Sequence, residues 1–191
     1  MIQSAIQDLA DNKPESAVEK LTATLTYPDN LGEGKLPNVP DNEAYYYTGL
    51  AYRMMNDTDK ANEYFTLASE GSSDPGSVLY YNDQPSDFIF YQGLAFRELG
   101  NETAALKSFH KLISYGEKHL FDHVSYDFFA VSLPEIEIFQ DDIQLRNTQY
   151  CNYLRALGNL GIHQKEKATE LFKDILSRQA DYQGAVSHMN F

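Results

Sequence analysis

Apolar residues recur along this chain at the three- and four-residue spacing of amphipathic helices, and the helices come in pairs joined by short polar turns. The predicted pairs span about 1–26, 42–70, 86–116 and 146–178. Loops rich in Pro, Gly and Asn separate them. We expect the tail from Asp181 to form one more turn or short helix.

The stretch 117–145 departs from this pattern and is predicted to be an irregular insertion. Pro134 lies in its middle, and polar and apolar residues alternate directly after it. We expect two short helices broken near Pro134, with a strand or irregular packing as the alternatives.

The helix pairs repeat one another at a fixed interval. Ala17, Ala61 and Ala105 lie 44 residues apart. The same interval relates Leu21, Phe65 and Phe109. A fixed period of about 20–50 residues predicts a stack of structural repeats.

Small residues recur where the two helices of a pair are predicted to cross. Helix axes lie about 8–10 Å apart, depending on the side chains between them, so a close crossing needs Gly or Ala. Gly49 and Ala61 meet this need in the second pair, and Gly93 and Ala105 in the third. Counted from Gly161, the last pair is out of register, because Ala168 follows Gly161 by seven residues, whereas Ala105 follows Gly100 by five.

The second pair carries a glycine, an aromatic residue three positions on, an alanine twelve on and an aromatic four beyond that. This order resembles the tetratricopeptide repeat, and the second pair matches it at Gly49, Tyr52, Ala61, Phe65 and Ala68. The third pair matches closely at Gly93, Phe96, Ala105 and Phe109. The usual period is 34 residues, so the additional ten form the loops between pairs. The resemblance implies an all-α, right-handed superhelix of about four helical hairpins, in one repeat domain over 1–191.

Three segments resemble a narrower group, the C-terminal tetratricopeptide region of bacterial proteins that carry domain of unknown function 5107. They are the segments 27–34, 127–134 and 181–185. This resemblance implies that the chain is a fragment of a larger protein whose N-terminal part is β-sandwich-like and carbohydrate-related.

The charge of the chain argues against polyanionic partners. Its net charge is −13, from 28 acidic and 15 basic residues. Such a surface repels nucleic acid and anionic membranes, because affinity for both comes from Lys and Arg. No apolar window is long enough to span a bilayer, and the N-terminus does not resemble a signal peptide. A single cysteine, Cys151, excludes an internal disulfide. We therefore expect a cytoplasmic protein in a reducing compartment.

The candidate binding surface is a groove lined by the first helix of each pair, as the tetratricopeptide resemblance implies. The predicted groove residues of highest interest are Tyr46, Leu50, Arg53, Phe90, Leu94 and Arg97. Arg53 and Arg97 occupy the same place in consecutive pairs, so we predict that they grip a carboxylate. Tyr46 and Phe90 are predicted to flank it. The alternative is that the arginines pair with local acids such as Asp57 or Glu98.

Metal and catalytic chemistry receive weaker support from the sequence. His119 and His123 are spaced to share a helix face, with Asp122 and Asp127 nearby, but the spacing lacks the glutamate of a metalloprotease helix. The acidic run of Glu135, Glu137, Asp141 and Asp142 is interpreted as a solvated face rather than a glycosidase pair. Cys151 is interpreted as a packing residue. We predict no catalytic residues, no metal and no cofactor.

These observations favour a non-catalytic module that binds a protein or peptide partner in its groove. The alternative is a C-terminal accessory domain of a larger carbohydrate-related protein. A stand-alone hydrolase is disfavoured, because no nucleophile is paired with a base.

Overall fold

The computed structural model describes residues 1–27, 30, 32, 34, 39–78, 84–124, 142–189 and 191. Within them the chain forms helices and no strand, which confirms the predicted all-α class with hairpins of the tetratricopeptide kind. The helices are α1 (Ile2–Ala10), α2 (Pro14–Thr24), α3 (Asn42–Met54), α4 (Thr58–Ala68), α5 (Phe88–Glu98), α6 (Glu102–His119), α7 (Ile143–Gly161), α8 (Lys165–Arg178) and α9 (Gln183–His188).

The chain divides into two compact units. Unit 1 comprises Met1–Asp74 and Asp83–Ser108, and unit 2 comprises Pro75–Asn82 and Phe109–Phe191. The single repeat domain over 1–191 stays a prediction. α6 and α7 both reach into the predicted insertion 117–145, ending at His119 and beginning at Ile143. Pro134 and the residues around it lie outside the described part of the chain.

The same turn closes all four hairpins. Its residue in the left-handed region is Asn12, Asn56, Gly100 or His163, with φ of 58°, 61°, 79° and 64°. In each turn the N–H of this residue donates to the carbonyl of the residue three positions before it, at 3.0–3.1 Å. The N–H of the following residue donates to the carbonyl of the residue five positions before that one, at 2.8–3.0 Å. This is the Schellman pattern, which satisfies the last carbonyls of a helix.

A buried alanine follows each of these turns at a constant distance. The alanine five positions after the turn residue has no exposed surface in any hairpin: Ala17, Ala61, Ala105 and Ala168. Twelve positions before each alanine the chain has another small buried residue: Ala5, Gly49, Gly93 and Ala156. Four positions after each alanine it has a large one: Leu21, Phe65, Phe109 and Phe172.

The prediction that the last hairpin is out of register is therefore wrong. Its turn residue is His163, and Ala168 follows by the same five positions as in the other hairpins. Gly161 lies inside α7 and has a packing role, because a Cβ there would collide with the ring of Phe109. Gly158 has a similar role, since its Cβ would lie 2.6 Å from Ile113 Cγ1.

Contacts within each unit show which helices pack against one another. In unit 1, α3 packs against its own partner α4, against α2, and against the first helices α1 and α5 of the neighbouring hairpins. Asn42 Nδ2 at the start of α3 donates to the carbonyls of Ala68 and Glu70 at 2.7 and 2.8 Å. Gln92 Nε2 of α5 donates to the same Glu70 carbonyl at 2.8 Å. These buried amides place α3 and α5 side by side. In unit 2, α7 pairs with α8, and α9 packs on both.

Substitutions at two of the left-handed turn residues should change the free energy of unfolding in opposite directions. A Cβ at Gly100 would meet no atom within 4 Å, so Gly100→Ala changes only the backbone conformation. We expect a loss of about 1 kcal/mol in the free energy of unfolding. His163→Gly relieves the same strain and should gain roughly 0.5 kcal/mol. Urea unfolding measures both. Gly34→Ala, which also adds its Cβ in open space but without a positive φ, is the control and should cause no loss.

At the helix crossing, the effects of substitutions at Gly49 and Phe65 on stability should depend on each other. A Cβ at Gly49 would lie 2.6 Å from Cε1 of the buried Phe65 ring. Gly49→Ala should therefore destabilise by about 1–3 kcal/mol, although Ala is ordinarily the better helix former. In a Phe65→Leu background the penalty should shrink, which a double-mutant cycle of unfolding free energies detects. A stabilising Gly49→Ala would contradict this account of the crossing.

Candidate functional site

The two arginines of the predicted groove lie on α3 and α5 of unit 1, and both are paired within the chain. Arg53 Nη1 forms an ion pair with the Glu98 carboxylate, and its Nη2 donates to the Glu98 carbonyl oxygen at 3.3 Å. The guanidinium also lies over the Phe65 ring, 4.7 Å from its centroid. Arg53 thus connects α3 to the end of α5.

Arg97 forms a two-bonded fork with Glu102 across the turn between α5 and α6. Its Nε and Nη2 donate to the two carboxylate oxygens at 2.9 and 2.8 Å. The fork raises the pKa of the Arg97 guanidinium further above its ordinary value. Planar forks of this kind are the strongest geometry of arginine with carboxylate.

Both arginines thus pair with acids of the chain, as in the alternative that the sequence left open, although only one of the two acids named there is a partner. Glu98 was named without being assigned to either arginine, and it pairs with Arg53, 45 residues before it in the chain. Asp57 has another role, because it caps α4 by accepting from the Lys60 N–H at 3.1 Å. Glu102 was missed, since it follows Arg97 by five positions across a turn rather than by three or four along one helix.

Tyr46 lies beneath the two arginines. It is 6% exposed, and its ring is 6.0 Å from the rings of both Phe65 and Tyr91. Burial raises the pKa of Tyr46 to about 12, although the charges of Arg53 and Arg97 both act to lower it. The hydroxyl therefore stays protonated at neutral pH, near two guanidinium groups.

The remaining predicted residues form the floor and edge of this surface. Leu50 is half-buried, Leu94 is 8% exposed, and Phe90 has no exposed surface. The structure therefore places Phe90 in the core under the surface rather than beside a ligand. We call the surface formed by Tyr46, Leu50, Arg53, Leu94 and Arg97 the α3–α5 face.

The opposite end of α3 and α5 is acidic. Glu43 accepts a hydrogen bond from the Tyr91 hydroxyl at 3.0 Å. Burial raises the pKa of Glu43, and the negative charge of Asp87 raises it further. Ten residues of helix separate Glu43 from Arg53, which corresponds to about 15 Å along α3. Both α3 and α5 thus begin near an acidic side chain and end near a basic one.

The predicted histidine pair does not share a helix face, because α6 ends at His119 and His123 lies beyond it. His119 Nδ1 is 2.6 Å from a carboxylate oxygen of Asp122. Across the described residues, no group of three or more His, Cys, Asp or Glu is arranged to hold a metal ion. Asp127 lies outside those residues.

The other candidate chemistries have structural explanations where the chain is described. Asp142 caps α7 by accepting from the Leu145 N–H at 2.9 Å, while Glu135, Glu137 and Asp141 lie outside the described residues. Cys151 is fully buried, with its Sγ 3.7 Å from Asn147 Oδ1. Burial raises the pKa of the Cys151 thiol to about 11. A thiol with that pKa is a packing group at neutral pH.

Comparison with known families supports the tetratricopeptide resemblance. The family model described as tetratricopeptide repeat matches residues 43–68 and 87–115. These residues cover the α3–α4 hairpin and most of the α5–α6 hairpin. No solved structure matches the chain. Tetratricopeptide repeats generally mediate protein–protein interactions. No helix in the described ranges is long and apolar enough to cross a membrane.

The raised pKa of Glu43 predicts a pH-dependent gain from its neutral isostere. A carboxyl whose pKa is higher in the folded state than its ordinary 4.5 contributes stability at acid pH and loses it as pH rises through the folded pKa. Glu43→Gln retains an acceptor for Tyr91 and removes this loss. We expect a higher urea midpoint at neutral pH and a gain that vanishes below pH 4.5. Glu63→Gln on the exposed side of α4 is the control. An equal gain at both pH values would contradict the assignment.

Proposed function

We propose that the α3–α5 face is a protein-interaction surface that binds a carboxylate of a peptide or partner protein between Arg53 and Arg97. The observation that carries the proposal is Tyr46, which is 6% exposed, stays protonated and lies in the field of both guanidinium groups. A carboxylate bound there would accept from three groups on two adjacent helices.

The ion pairs within the chain are compatible with this binding. The side chains of Arg53 and Arg97 are 43% and 22% exposed, and those of Glu98 and Glu102 are 24% and 53% exposed. Partly exposed single pairs contribute about 0–1 kcal/mol, whereas a bidentate fork contributes more, so a ligand displaces the Arg53–Glu98 pair at a smaller loss than the Arg97–Glu102 fork. Until then they hold both arginines in place, which reduces the entropy lost on binding.

Apolar contact would come from the exposed edge of the same helix. Leu50 is half-buried and Met54 is 39% exposed. The proposed ligand is therefore a peptide segment with a carboxylate next to an apolar side chain. The proposal describes a binding module without a catalytic step.

The narrower resemblance leads us to propose, as the alternative, an accessory domain at the C-terminus of a larger carbohydrate-related protein. Of the segments that carry it, 181–185 is fully described, and it comprises the last two residues before α9 and the first three residues of that helix. A genomic reading frame that continues upstream of Met1 into a sugar-binding domain would support this alternative. A natural start codon at Met1 would count against it.

The binding proposal predicts a loss on removing both guanidinium groups. An array of peptides with free C-terminal carboxylates, duplicated with amidated C-termini, selects ligands for the wild-type protein. Because charged hydrogen bonds contribute about 1.5–3 kcal/mol each, Arg53→Gln/Arg97→Gln should weaken the selected peptides at least roughly tenfold, as measured by fluorescence polarisation.

The control for net charge is Lys13→Gln/Lys107→Gln, which removes two exposed cations elsewhere on unit 1. It should leave binding unchanged. Equal binding by the arginine variant and the wild type, in a protein that remains folded by circular dichroism, would remove the α3–α5 face as the site. Equal binding of free and amidated peptides would remove the C-terminal carboxylate as its ligand.

A further inference from the structure

Unit 2 contains a cavity of about 710 Å³ along the first two turns of α7. The end of α8 and the start of α9 form its far side. Val78 also lines the cavity. The segment that carries Val78 is held in place because the Tyr150 hydroxyl donates to the Gly76 carbonyl at 2.8 Å. Cavities of about 300–1,000 Å³ are typical of small-ligand sites. The cavity is not among the sites that the sequence indicated.

Gln149 is the residue of this cavity that requires a partner. Its side chain lines the cavity and is 5% exposed, and its Nε2 has no hydrogen-bond partner among the described residues. A buried amide donor left unpaired destabilises a fold by about 1–3 kcal/mol. Such groups are rare in native proteins, and each calls for an explanation such as an ordered water or a bound acceptor. Because Gln149 lines the cavity, a ligand oxygen bound there would supply the missing acceptor.

Two guanidinium groups from different helices line the same cavity, Arg146 of α7 and Arg178 of α8. Arg178 donates to one oxygen of Asp174 at 3.3–3.4 Å, which is longer than a strong charged hydrogen bond. Among the described residues, the carboxylate in the lining is that of Asp142, which accepts from the Leu145 N–H. The positive end of the α7 dipole adds to this potential. The cavity therefore offers donors and positive charge, within a chain of net charge −13.

We infer that this cavity binds an aliphatic carboxylate. Gln149 Nε2 donates to one carboxylate oxygen, and Arg146 and Arg178 balance the charge. Leu145 and Val78 contact the hydrocarbon stem. Two sources have this chemistry, a free dicarboxylic acid and an acidic side chain of a partner protein. The site lies in unit 2 and does not depend on the proposed role of the α3–α5 face in unit 1.

The test uses the full chain and two probes, glutarate and a blocked tripeptide with a central glutamate. Each is titrated into ¹⁵N-labelled protein while the side-chain amide resonances are recorded, and affinities are measured by calorimetry. We expect the Gln149 amide resonance to shift with a Kd of about 1 mM or tighter for at least one probe. Binding of glutarate supports a small-molecule source, and binding of the tripeptide alone supports a protein source.

Two variants separate binding from folding. Gln149→Leu removes the unpaired donor and keeps the volume, so the protein without ligand should melt at a higher temperature while binding is lost. Arg146→Gln/Arg178→Gln should weaken binding at least roughly tenfold. Lys167→Gln/Lys173→Gln removes the same charge from positions of α8 outside the cavity and should leave binding unchanged.

Three results would each overturn the inference. The first is no saturable binding of either probe at about 10 mM. The second is binding that persists in both cavity variants. The third is a lower melting temperature for Gln149→Leu, because that would show that the amide already has a stabilising partner within the protein.

Discussion

Each hairpin depends on how closely its two helices approach at one buried alanine. The left-handed turn residue ends the first helix, and five positions later the alanine of the second helix lies in the core without exposed surface. A large side chain four positions further on fills the space beside the crossing, as Phe65 does next to Gly49. Because packing at this density leaves few alternatives, the turn and the crossing together fix which face of each helix turns inward.

The same constraint makes the repeat independent of its loops. Turn residues Asn12, Asn56 and Gly100 follow one another at 44 residues, but His163 follows Gly100 by 63. The spacing of twelve positions between the two small residues is the same in every hairpin that the structure describes. The spacing that sets each helix crossing lies within the hairpin. The connections between hairpins therefore vary in length without changing which positions of each hairpin's first helix face outward. Arg53 and Arg97 are equivalent for this reason.

The sequence predicts the hairpins well because their signals are local. Apolar spacing, the left-handed Gly100 and the recurring alanines are all visible in short windows. The register of the last hairpin was missed because Gly161 resembles a turn residue, whereas His163 adopts the left-handed conformation that non-glycine residues seldom do. What Gly161 provides is space for Phe109, a contact between helices distant in sequence.

The site residues were predicted less completely than the fold for a related reason. Equivalence between repeats located Arg53 and Arg97, but their acidic partners and the burial of Tyr46 follow from tertiary packing. No short window contains the unit 2 cavity either, because α7, the end of α8 and the segment 75–78 build it together.

The two proposed sites retain binding capacity in physically different ways. On the α3–α5 face, positive charge stays near the surface and is held by partly exposed ion pairs, whose carboxylates a ligand carboxylate can replace. In the cavity, a buried donor stays unpaired, which lowers the stability of the protein until an acceptor arrives. The first arrangement suits a partner that is exchanged readily, because the ion pairs within the chain and those with the ligand are nearly equal in free energy. The second couples ligand binding to stability, because a ligand that binds only the folded state stabilises it in proportion to its occupancy.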